Sequence, residues 1–96
     1  MNKITVMMSA YNGSQYITQQ LDSIFAQKGV DVTCYVRDDG SKDETLEVLC
    51  KYQKSMVEGK LIISEGENVG WERSFLLALK NAPQADYYAF ADQDDI

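Results

Sequence analysis

The stretch YYAFADQDDI sets Asp92, Asp94 and Asp95 within four positions, directly after an apolar run. Carboxylates gathered so closely repel one another and resist ionising together. A divalent cation relieves that cost. Every candidate donor is a hard oxygen, which suits Mg2+ or Mn2+ and not zinc. Such an ion bridges to a diphosphate, offsets its charge and stabilises it as a leaving group. A solvated charge run is the alternative reading. A second acidic cluster is RDDGSKDET, where Asp38 and Asp39 precede a Gly-Ser turn. These carboxylates either shape the turn or accept a hydrogen bond from the imide N–H of uracil or thymine, or from a ribose hydroxyl. In SAYNGS, Asn12-Gly13 supplies a turn. Tyr11 either packs or stacks on a base, and Ser9 bonds a nucleotide or the backbone. In GENVGWERSF, Gly66 and Gly70 give a flexible approach to a helix. Arg73 either reaches an anionic phosphate or pairs with Glu72 or Glu67. Trp71 packs or walls the edge.

Alternating segments must position these residues. ITVMM (Ile4 to Met8) is a short apolar run that reads as a strand buried on both faces. SQYITQQLDSIFAQKG carries Ile17, Leu21, Ile24 and Phe25 at helical spacing, with Ser14 as cap and Gly29 as stop. VTCYV is a β-branched strand. SKDETLEVLCKYQKSM opens with Ser41 and Glu44 in capping-box spacing, ahead of Leu46, Leu49 and Cys50. KLIIS is a third strand. WERSFLLALKNA is a third helix with Phe75, Leu76 and Leu79 on its apolar side, and DYYAFA is a buried fourth strand. The order β-α-β-α-β-α-β predicts an α/β fold, a Rossmann-like parallel sheet with helices on both faces. Ligands of such sheets bind beyond the carboxyl ends of the strands, which is where SAYNG, RDDGS, SEGENVG and DQDD fall.

The bulk numbers narrow the chemistry. Ninety-six residues build one small domain, and the net charge of −6 argues against a nucleic-acid partner. Without histidine the chain holds neither an imidazole zinc site nor a His-based triad. Cys34 and Cys50 have no metal-like spacing and read as small buried hydrophobes in a reducing compartment. The N-terminal apolar stretch is too short for a signal or a membrane span, so a cytoplasmic location is expected, with a peripheral membrane role left open. GxGxxG, GxxxxGK[ST] and GxSxG are all missing from the sequence. A phosphoacceptor receiver domain would need an acceptor Asp closing the third strand, and KLIIS has none.

Taken in order, ITVMMSAYNGSQYITQQLDSIFAQ, VRDDGSKDETLEVL, ENVGWERSFLLAL and YYAFADQDDI closely resemble family 2 glycosyltransferases, inverting enzymes of the GT-A fold. DQDDI with GENVG upstream is most similar to bacterial members that add rhamnose or related sugars to surface polysaccharides. The resemblance implies that residues 1–96 are the donor-binding, N-terminal part of a GT-A domain, with the acceptor-binding part beyond Ile96. It implies a nucleoside-diphosphate sugar (UDP- or dTDP-linked) as donor and a saccharide or lipid-linked acceptor. Tyr11 would stack on the base with Ser9 beside it, Asp39 would contact the base, and Asp38 would sit near the nucleoside. Asp92 and Asp94 match the DxD carboxylates, Asp95 shares their work on the metal, and Arg73 contacts phosphate. The general base would come from the acceptor half, so this chain alone is expected to bind nucleotide without turnover. A nucleotide-binding module and a Mg-dependent nucleotidyltransferase are the alternatives, the latter lacking its Gly-rich basic loop here. The fourth strand is expected near an edge, exposing apolar surface that favours self-association.

Overall fold

A strand whose successive residues are all buried needs cover on both faces. The first strand of the computed structural model has that character: in β1 (Asn2–Ala10) every residue from Thr5 to Ala10 is buried. The structure describes residues 2–92, the side chains of Trp71 and Asp92 excepted. Along them run α1 (Ile17–Phe25), β2 (Val30–Asp39), α2 (Thr45–Lys54), β3 (Leu61–Gly66), α3 (Trp71–Asn81) and β4 (Tyr87–Asp92). All the described strand pairings are parallel, in the order β3-β2-β1-β4. The chain therefore steps outward from β1 to β3 and then jumps back across β1 to lay down β4. This reversal makes a topological switch point between β1 and β4.

Side-chain parity assigns the helices. Val6, Met8, Ala10, Val32, Cys34 and Val36 pack against Ile17, Leu21 and Ile24 of α1 and Leu49 of α2. Met7 and Tyr35, of opposite parity, pack against Ala78 of α3. Each fully buried Leu, Ile or Met contributes roughly 1.5–3 kcal/mol, so the α1/α2 face carries most of the apolar stabilisation. The expected α/β fold with helices on both faces is what forms.

Several local expectations are corrected. Ser14 does not cap α1: the helix begins at Ile17, the Gly13 carbonyl accepts from the Tyr16 and Ile17 N–H groups, and Ser14 Oγ donates to Asp43 instead. Gly29 does not end α1, which stops at Phe25; with φ 79° it turns the chain into β2. Ser41 and Glu44 form no capping box, because Ser41 Oγ is spent on Asp38. Asp43, one residue before the Glu44 N-cap, accepts from the Thr45 N–H at 2.9 Å, and no side chain caps α2 from Glu44 itself. On α3 the sheet-facing residues are Ser74 and Ala78, while Leu76 (65% exposed) and Leu79 face outward. The fourth strand lies at the edge as expected, yet is not buried: Tyr87, Tyr88 and Phe90 are all exposed. Cys34 is buried, whereas Cys50 is exposed.

Candidate functional site at the carboxyl edge

The polar residues read as following the strands are largely inside them. Ser9 is the penultimate residue of β1, Asp38 and Asp39 close β2, and Asp92 closes β4. The register sets Ser9 beside Arg37 on one side and beside Asp92 on the other. Ser9 and the backbone of Asp92 thus meet at the switch point. Tyr11, 40% exposed, follows directly on β1. Asp94 and Asp95 lie outside the described residues, and among those described no group of three His, Cys, Asp or Glu side chains suits a metal ion.

Asp38 and Asp39 are both buried, at 3% and 2% exposure, and point to opposite faces of the sheet. Asp38 lies on the α1/α2 side, where it accepts from Ser41 Oγ. Ser41 in turn accepts from the Asn12 N–H at 2.9 Å, and Asn12 Oδ1 accepts from the Lys42 N–H at 2.8 Å. Asn12 holds the left-handed conformation (φ 48°), which its short polar side chain tolerates. Gly13 N–H donates to Thr45 Oγ1 at 2.8 Å, and Ser14 Oγ donates to Asp43 at 3.0 Å. These bonds stitch the loop after β1 to the loop after β2 and hold Tyr11 at the edge. Burial opposes the charge on Asp43, but the hydrogen bonds from Thr45 and Ser14 outweigh it and hold its carboxyl below the ordinary value.

Asp39 lies on the α3 side within a network not anticipated from the sequence. Arg37 Nη1 donates to Asp39 Oδ1 at 2.6 Å and to Ser74 Oγ at 3.1 Å, and Nη2 donates to the Glu67 carbonyl at 3.1 Å. The N–H groups of Val69 and Gly70 donate to the two Asp39 oxygens at 3.0 and 3.1 Å. Ser9 Oγ donates to Ser74 Oγ at 2.6 Å. Arg37 and Ser74 are the residues that sequence reasoning missed. The available signal was the i, i+2 spacing of Arg37 and Asp39, which puts both on one face of a strand. Gly66 gives more than flexibility: a Cβ there would lie 2.3 Å from Arg37 Nη2. Arg73, exposed in the first turn of α3, lines a shallow hollow of about 330 Å³ with Val69, Gly70 and Glu72. It pairs with neither Glu72 nor Glu67, since the ion pairs among the described residues are Arg37–Asp39 and Lys60–Asp31.

A parallel sheet with helices on both faces and its polar groups gathered at the carboxyl edge defines an α/β domain of the Rossmann-like type. The sequence profile of Glycosyl transferase family 2 matches residues 5–96, and the chain belongs to that family. It is similar to the dTDP-rhamnosyl transferase RfbG of Shigella flexneri, 36% identical over 92 residues that cover 93% of this chain and 32% of RfbG. The crystal structure of Staphylococcus aureus TarS residues 1–349 in complex with UDP superposes with a TM-score of 0.82 at 31% identity, over 96% of this chain and 27% of that TarS chain. The mannosyltransferase PcManGT of Pyrobaculum calidifontis, solved with GDP-Man and Mn2+, gives 0.87 at 24% identity over 97% of this chain and 28% of its own, a likeness of fold. The chain spans about a third or less of the length of these relatives.

Proposed function

We propose that this chain binds the nucleoside diphosphate of a UDP- or dTDP-linked sugar, for transfer of the sugar to a saccharide or lipid-linked acceptor in polysaccharide or glycoconjugate synthesis. The observation that carries the reading is the switch point, where Ser9 and Asp92 stand in register and Tyr11 follows at the exposed edge. Ligands of open α/β sheets enter at such a point. Family membership supports the transferase class, and RfbG and the UDP-bound TarS support the donor class.

In this reading Tyr11 stacks on the base with Ser9 beside it. Asp39 accepts the imide N–H and Asp38 sits near the nucleoside. Arg73 meets the phosphates, and Asp92 holds the ribose. Asp94 and Asp95 hold Mn2+ or Mg2+, whose charge offsets that of the departing diphosphate. The displacement inverts the anomeric centre, and its general base is supplied from outside residues 1–96. Reaction in the cytoplasm, at the inner membrane face for a lipid-linked acceptor, belongs to the same proposal.

Calorimetric titration with UDP, dTDP and GDP, with and without Mn2+, tests the reading. Metal-dependent binding of UDP or dTDP that weakens at least about tenfold in Asp94→Ala is expected, the loss of one charged contact. A folded chain that binds none of the three contradicts it.

A further inference from the structure

We propose that Arg37 is a positioning residue for base selectivity: it fixes the Asp39 carboxylate and ties it to the start of α3, so that discrimination by Asp39 depends on Arg37. The inference rests on the base contact proposed above for Asp39. A charged side chain that is only 9% exposed is costly unless paired and hydrogen-bonded. Arg37 is held by three groups of different origin: the Asp39 carboxylate, the Ser74 hydroxyl and the Glu67 carbonyl. Through Ser74 it also reaches Ser9, so one side chain links two residues of the proposed nucleotide site.

The acceptor capacity of Asp39 gives the link its consequence. Oδ1 accepts from Arg37 and from the Val69 N–H, while Oδ2 accepts from the Gly70 N–H. A carboxylate oxygen offers about two acceptor sites, so the site that no described residue fills is on Oδ2, and the two bonds on Oδ1 set the plane of the carboxylate. Without Arg37 the carboxylate loses its charge-assisted partner and is held by the Val69 and Gly70 N–H groups alone, which fix it less tightly and no longer tie it to Ser74. Gly66 is an independent sign that the chain is shaped around this fork, since a Cβ there would meet Nη2 at 2.3 Å.

An imide donor separates uracil from cytosine, whose N3 is an acceptor and faces a carboxylate unfavourably. The test is calorimetric titration of the 96-residue chain with UDP and CDP, each with Mn2+, for wild type, Arg37→Met, Arg37→Lys and Gly66→Ala, folding being checked by circular dichroism. Gly66→Ala displaces the flexible end of Arg37 without removing its charge, so it keeps the test decisive should Arg37→Met fail to fold. Wild type is expected to prefer UDP by at least about tenfold, the worth of a hydrogen bond to a charged group. Arg37→Met and Gly66→Ala are expected to bring that preference to within about threefold on the same scale, while Arg37→Lys, which keeps the charge but not the fork, retains part of it. Folded Arg37→Met or Gly66→Ala with the wild-type preference intact, including equal weakening of both nucleotides, overturns the inference: Arg37 is then structural alone. A folded wild type that binds neither nucleotide, or both alike, removes the base contact of Asp39 and the inference with it.

Discussion

Asp38 and Asp39 are adjacent in the chain, yet successive residues of a strand face opposite sides of the sheet, and the two serve different loops. Asp38 secures Ser41 and through it Asn12; Asp39 secures Arg37 and the segment leading into α3. Removing one member of a buried ion pair strands the other, a loss of about 3–5 kcal/mol. Arg37→Ala should therefore lower the urea-derived unfolding free energy by about that much, and a change under about 1 kcal/mol would mean the pair is replaceable by water. The motif RDDGS was legible as an acidic cluster at the end of a strand, but not this division of labour. The sequence displays charge and spacing, whereas the partner of Arg37 is fixed by strand parity together with the arrival of α3. The cysteines make a second contrast at this scale. Burial pushes the Cys34 thiol up to about 12, while Cys50 is exposed. A thiol reagent at pH 8 should thus label Cys50 in the native protein and both cysteines in denaturant; rapid native labelling of Cys34 would show that β2 opens readily.

At the scale of elements, the order of strands and helices was legible because short apolar runs alternate with amphipathic ones, and that pattern survives any detail of packing. The helix starts were not. Ser14 and Ser41 are good cap residues by type, yet each is drawn off by a carboxylate: Ser14 by Asp43 of the loop after β2, and Ser41 by Asp38 at the end of β2, three residues before it. The long-range partner of Ser14 leaves no local trace. The outward face of α3 was misread for a related reason: Leu76 and Leu79 have the hydrophobicity of core residues, but the small Ser74 and Ala78 are what allow the helix to approach β1 and β2. Asp43 carries the prediction that belongs here. Asp43→Ala should cost about 1 kcal/mol at neutral pH, the net worth of the hydrogen bonds its carboxylate accepts from Thr45 and Ser14 at this exposed position. Its carboxyl is held below the ordinary value of 3.8. The stability it adds is therefore complete above that value and lost as pH falls through its lower folded-state value. Denaturation midpoints of wild type and Asp43→Asn should differ at pH 7 and converge in this acid range. A constant difference would assign the effect to geometry and not to charge.

The whole molecule is asymmetric in its cover. The α1/α2 face closes over β1 and β2, whereas β4 pairs with β1 alone among the described strands and leaves its other edge open. Strand parity distributes the exposed aromatic residues to both sides of that edge: Tyr87 stands in register with Ile4 on the α1/α2 side, and Tyr88 and Phe90 with Thr5 and Met7 on the α3 side. Phe90 meets Phe75 edge to face at a centroid distance of 5.4 Å and still remains 57% exposed, and Leu76 extends the apolar surface along α3. An open edge flanked by apolar side chains is a template for strand addition, and charge placed on it is the usual remedy. The 96-residue chain should accordingly associate as its concentration rises, with light scattering reporting a growing mean mass. Tyr87→Lys should shift that association to higher concentration, because it blunts the edge while touching no residue of the carboxyl-edge network. Tyr88→Lys should act in the same sense from the opposite face of the strand. If instead the wild type stays monomeric at millimolar concentration, or the lysine variants associate as readily, the exposed edge is not where copies meet. The twist of a single edge strand would then be enough to protect it.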